Sequence, residues 1–189
     1  MQVLKEEIRD KILQAALDEF YRKGYEKASL QEIAKKCAIS KSNVYNYFPS
    51  KKSIYEALIT PAHNEIARVT KQLTKKKSCP NEVDAVAREF TNSLKEVIYH
   101  YRKEIVIIIT CDVEPDGQAI LKLLQQELIQ CFTQLDARLL SRDFLEVLSS
   151  MVLDGICKIT IQAQTEEELE EQLYALFRYH VRGILAFKG

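Results

Sequence analysis

Tryptophan is absent from this 189-residue chain, and only 5 glycines and 4 prolines occur. A barrel or sandwich of many strands needs a turn every ten residues or so, and the residues that make turns are too scarce here. Long apolar runs are missing too. The longest, Ile105 to Ile109, falls far short of the roughly 20 residues that cross a bilayer, so no membrane partner is expected. The N-terminus turns acidic at Glu6 and Glu7 without an apolar signal core, and nothing in it suggests export. The five cysteines (Cys37, Cys79, Cys111, Cys131 and Cys157) are odd in number and scattered, with no CxxC pair. That usage fits reduced thiols in a cytoplasmic protein better than a disulfide framework. His63, His100 and His180 lie far apart without metal spacing, and there is no glycine-rich phosphate loop. Asp112 and Glu114, beside Pro115, read as solvated turn residues. No catalytic residue, metal or cofactor is expected.

What is present is helical periodicity on a globular composition, 47% hydrophobic and 29% charged. Ile8, Ile12, Ala16 and Phe20 recur every four residues, and Arg22, Lys23 and Gly24 supply a C-terminal signature. Ser29 and Glu32 form a capping box for a short second helix, Ser40 caps a third from Lys41 to about Tyr47, and Ser50 caps a fourth. The fourth runs to about Lys77, with Pro61 either kinking it or dividing it at Thr60. Ile105 to Thr110 is rich in β-branched residues, yet no partner strand is visible, so a buried helix is predicted. Phe144, Val147, Leu148, Met151, Val152, Gly155, Ile156 and Ile159 form one apolar face, and Thr165 with Glu168 makes a capping box for the last helix. The fold class is all-α with about nine helices.

Charge divides the chain. Residues 1 to 78 carry 16 Lys and Arg against 9 Asp and Glu, a balance of +7; the remainder carries 11 against 18, a balance of −7. A basic head on an acidic body suggests that the head meets a polyanion. Two short helices joined by a three-residue turn, after a longer one, match a helix-turn-helix whose second helix enters the major groove. Lys41, Ser42, Asn43, Asn46 and Tyr47 have hydrogen-bonding side chains of the right reach, while Val44 and Phe48 point inward to hold the helix against Ile33 and Leu17. Asn pairs with adenine, and Lys with guanine or phosphate.

The run Leu30-Gln31-Glu32-Ile33-Ala34 through Val44-Tyr45-Asn46-Tyr47-Phe48-Pro49-Ser50-Lys51 resembles the signature of the tetracycline-repressor (TetR) family of transcriptional regulators over roughly the first 60 residues. Where that family usually has Gly in the turn, this chain has Ala38. The resemblance implies phosphate contacts from Ser29, Tyr45 and Lys51, a cap and a possible backbone contact from Ser40, and base or phosphate contacts from Lys41, Ser42, Asn43, Asn46 and Tyr47. Ser29 and Ser40 read equally well as caps alone, and Tyr45 as a half-buried packing residue. The resemblance further implies a helix-turn-helix domain over residues 1–50 and a ligand-binding and dimerisation domain over 51–189. It implies a homodimer joined by its last two helices, with Gly155 allowing close approach, on a palindromic double-stranded operator. A small-molecule effector would enter the body between the fourth and eighth helices and release the DNA; Phe90, Leu94, Tyr101, Cys131 and Met151 are the candidate contacts, each of which also reads as plain core. Two alternatives are a relative that binds a protein partner instead of DNA, and a redox sensor using Cys111, Cys131 or Cys157.

Overall fold

The computed structural model describes residues 2–75, 82–110, 116–135 and 140–186, and in them nine helices and no strand. In order they are α1 (Gln2–Lys27), α2 (Leu30–Lys36), α3 (Lys41–Tyr47), α4 (Lys51–Lys75), α5 (Val83–His100), α6 (Arg102–Thr110), α7 (Asp116–Gln134), α8 (Arg142–Gln162) and α9 (Glu166–Ala186). Lys76, Lys77, Cys79, Cys111, Asp112, Glu114 and Pro115 lie outside the described residues.

Local signals set the first three helices. The stripe Ile12, Ala16 and Phe20 is fully buried, and Gly24 takes a positive φ of 75° that ends the straight part of α1. Ser29 caps α2 by accepting from the Gln31 amide at 3.2 Å, one residue short of the partner expected in a box with Glu32. The far end of α2 closes in a Schellman pattern: the Ala38 amide donates to Lys35 O at 3.1 Å and the Ile39 amide to Ala34 O at 3.0 Å. That closure places Ala38 at φ 55°, the left-handed region in which its Cβ is crowded. Ala38→Gly is therefore expected to raise stability by about 0.5–1 kcal/mol, the relief of strain outweighing the extra freedom glycine gives the unfolded chain. Urea unfolding measures it; an unchanged or lower midpoint would show that the strain is negligible.

Ser40 and Ser50 start α3 and α4 as expected, Ser40 accepting from the Asn43 amide at 3.1 Å and Ser50 from the Ser53 amide at 3.0 Å. Ser53 answers with its own hydroxyl, which accepts from the Ser50 amide at 3.1 Å. Pro61 does not divide the fourth helix at Thr60: α4 continues through it to Lys75. The proline lies on the exposed side, where the Ala57 carbonyl that loses its amide partner can turn to water. The stretch Ile105 to Thr110 is helical as predicted, with Ile105, Val106, Ile107 and Ile108 all buried. Arg102, at the start of α6, holds the end of α8 by donating to Thr160 O at 2.8 Å and to Ala163 O.

The body is built on α5 lying along α9, with Lys95 paired to Glu170 at 2.6 Å and Asp84 accepting from Tyr174 and Arg178. The apolar face expected on α8 proves to be two. Val152 and Ile156, with Leu145 and Leu153, go into the core, whereas Phe144, Val147 and Met151 stay exposed. Gly155 faces inward: a Cβ there would lie 2.7 Å from Leu176 Cδ1 of the same chain, so its close approach serves the packing of α8 on α9. Among the described residues no helix is long and apolar enough to cross a membrane.

Candidate nucleic-acid interface

The second short helix, α3, presents two faces. Val44 is fully buried and Phe48 4% exposed, anchoring the helix in the same core as Ile33, with Leu17 packed against it. Lys41, Ser42, Tyr45 and Asn46 are exposed on the other side, and Asn43 and Tyr47 are half-buried. An apolar face that fixes the helix and a polar one left free is what a reader of base edges needs. The polar face is partly ordered beforehand. Ser42 and Ser40 share a hydrogen bond of 2.8 Å, and the Asn46 amide donates to Asn43 Oδ1 at 3.3 Å. One N–H and the oxygen of Asn46 remain for an adenine edge. Lys41 has no ion pair among the described residues.

Of the nine sequence-predicted residues, Ser29 lies apart at the start of α2 and Lys51 at the start of α4; the remaining seven cluster on α3 and its cap. Lys51 is placed differently from the rest. Its ammonium donates to three backbone carbonyls at the end of α1, Tyr25 O at 2.7 Å, Glu26 O at 3.1 Å and Ala28 O at 3.3 Å, and lies 4.4 Å from the centre of the Tyr25 ring. Three donors meet three acceptors, so in this arrangement Lys51 ties α4 to the end of α1.

One residue that sequence reading missed holds the head together. Glu19 is fully buried on α1 and takes ion pairs from Arg22 at 3.2 Å, Lys23 at 2.6 Å and Lys36 of α2 at 3.1 Å. Burial alone would push its carboxyl up, but hydrogen bonds from Lys23, Lys36 and Arg22 outweigh that and hold it at about 2. The i+3 and i+4 spacing to Arg22 and Lys23 was visible in the sequence; the partner on α2 was not. A second ion pair, Lys103 to Asp18 at 2.6 Å, joins α6 to α1.

In the body, a cavity of about 40 Å³ lies among α4, α5, α6, α7 and α8. Of the five effector candidates, Leu94 lines it and the other four do not. Phe90 packs on Phe177 with ring centres 5.8 Å apart, Tyr101 meets His100 edge-on at 4.6 Å, Cys131 is buried, and Met151 is exposed on α8. Burial, with the nearby charge of Glu127, pushes the Cys131 thiol up to about 12, and burial with Asp154 raises Cys157. Thiols held protonated are poor redox nucleophiles.

The sequence model of the bacterial regulatory proteins of the tetR family matches residues 12–58, a span that runs from within α1 through the reader helix into α4. The chain belongs to the TetR family. Over 49 residues it is 47% identical to the biofilm operon icaADBC HTH-type negative transcriptional regulator IcaR of Staphylococcus aureus, a match covering 26% of each protein. The curated relatives are matched over only 16–34% of their own length. The fold extends further than the sequence likeness. A TetR-family regulator from Bordetella parapertussis superposes with a TM-score of 0.70 over 90% of this chain and 93% of its own, at 24% identity. AibR, solved in complex with isovaleryl coenzyme A and operator DNA, superposes with a TM-score of 0.64 over 89% of this chain and 96% of its own, at 19% identity.

Proposed function

We propose that this TetR-family chain is a homodimeric repressor that binds a palindromic operator through α3 and leaves it when a small molecule enters the body. The observation that carries the reading is α3 itself: a seven-residue helix pinned by Val44 and Phe48, with Lys41, Ser42, Tyr45 and Asn46 exposed on its polar side. The negative regulation named for IcaR, the relative over this head, supports repression. AibR, whose structure holds both an operator and an acyl-coenzyme A, supports a fold able to serve DNA and ligand together. In this reading residues 1–50 form the DNA-binding head and 51–189 the body. The effector enters beside Leu94, and the exposed apolar residues of α8 and α9 meet their symmetry mates. A single reader helix per chain contacts one half-site, so two chains are needed for two.

The test is binding of the full chain to a palindromic duplex across a salt series. Several phosphate contacts should cost roughly 10³-fold or more in affinity between about 50 and 200 mM salt, and an affinity indifferent to salt would defeat the reading. Asn46→Ala is expected to lose about 1–3 kcal/mol on the operator and to relax preference at one position, while affinity for random DNA hardly moves. Equal losses on both would make Asn46 a backbone contact.

A further inference from the structure

The body cavity is walled by aliphatic side chains such as Leu94, Ile98, Ile105 and Leu128, and by one acidic residue, Glu127 of α7. Among the described residues Glu127 is the sole charged side chain on the lining, and no cation pairs with it there. Its Oε2 accepts from the hydroxyl of buried Thr70 on α4 at 3.0 Å. A carboxylate on an apolar wall loses hydration and gains little from one neutral hydroxyl, so it awaits a positive partner. We infer that the cavity takes an apolar amine, a ligand with an aliphatic body and a primary or secondary ammonium that pairs with Glu127. The inference rests on the reading of the body as an effector site and names the ligand class.

Three features favour an N–H-bearing cation. First, the Thr70 hydroxyl also lies 3.0 Å from Ile66 O and 3.2 Å from Ala67 O. Its proton can turn to either carbonyl when an ammonium takes Glu127, so the exchange leaves no buried donor unpaired. Second, no aromatic ring lines the cavity among the described residues. A quaternary ammonium is recognised by aromatic faces and cannot donate a hydrogen bond, whereas a protonated amine forms the short charge-assisted bond of about 2.7–2.9 Å that a carboxylate offers. Third, an anionic ligand would place a second negative charge beside Glu127 where water is scarce. The volume of about 40 Å³ is suited to solvent-sized groups, so α4 and α7 must part for the ligand's body to enter.

The experiment titrates the full-length protein with n-alkylamines from butyl to octyl, and with alcohols, carboxylates and trimethylammonium ions of matched chain, by calorimetry at neutral pH. One amine should bind at least tenfold more tightly than its matched alcohol, carboxylate and quaternary ion. Glu127→Gln should erase that preference while the alcohol still binds; Thr70→Val, which keeps the carboxylate, should retain it. A carboxylate or quaternary ion that binds as well as the amine, or a preference that survives Glu127→Gln, overturns the inference. Alcohol binding without amine preference overturns it and leaves the effector site standing. Binding by none of the probes sinks both.

Discussion

Met151→Glu is expected to turn the dimer into monomers at micromolar concentration and to abolish operator binding. Met151 is 48% exposed on α8, beside Phe144 at 40%, Val147 at 53% and Tyr179 of α9 at 71%. These residues flank a groove of about 540 Å³ bottomed by Gly183, where a Cβ would meet nothing within 4 Å. Four large apolar side chains on one outer face form the kind of patch that monomers rarely leave open. Covering a methionine stabilises by about 1.5–3 kcal/mol, and a carboxylate in its place adds a desolvation cost of several kcal/mol. Two-fold symmetry applies both terms twice. A total above about 5.5 kcal/mol weakens association roughly 10⁴-fold. Sedimentation shows the mass directly, and Met151→Leu serves as the control that keeps the dimer. A Met151→Glu protein that sediments as a dimer would place the interface elsewhere.

Glu19→Gln is expected to destabilise the protein by about 2–3 kcal/mol at neutral pH, a loss that fades in acid. The amide keeps the shape of the side chain and removes the charge that gathers Arg22, Lys23 and Lys36. A carboxyl held at about 2, against an ordinary 4.5, contributes stability that is complete above the unfolded value and lost as pH falls toward the folded one. The figure is set below the full conversion of that shift because Arg22 remains 64% exposed and regains water when released. Wild type and variant should therefore converge in urea midpoint between about pH 5 and pH 2. A gap that stays constant over that range would assign the loss to packing instead of charge. Because Lys36 sits on α2, the variant should also loosen the seat of the reader helix, seen as faster amide exchange in α2 than in α9.

Much of the head was legible because its determinants are local. Ser40, Ser50 and Ser141 each cap a helix through an amide three residues on, Gly24 needs only its own freedom of φ, and the reader's buried Val44 and Phe48 follow from a four-residue repeat. Such interactions close within one turn, so the order of residues determines them wherever the chain goes. Tertiary structure decided the rest. Lys51 reads as a cation at a helix start; its three carbonyls lie 23 to 26 residues earlier and become its partners only once α4 crosses α1. Gly155 reads as a gap for a second chain, and Leu176 of α9 fills it. The apolar arc of α8 is wider than one neighbour can cover, and which half is left exposed depends on where the other helices lie. Glu127 and Thr70, 57 residues apart, meet at the cavity for the same reason. Periodicity says that a face is apolar or charged; only the packing of distant helices says what stands opposite it.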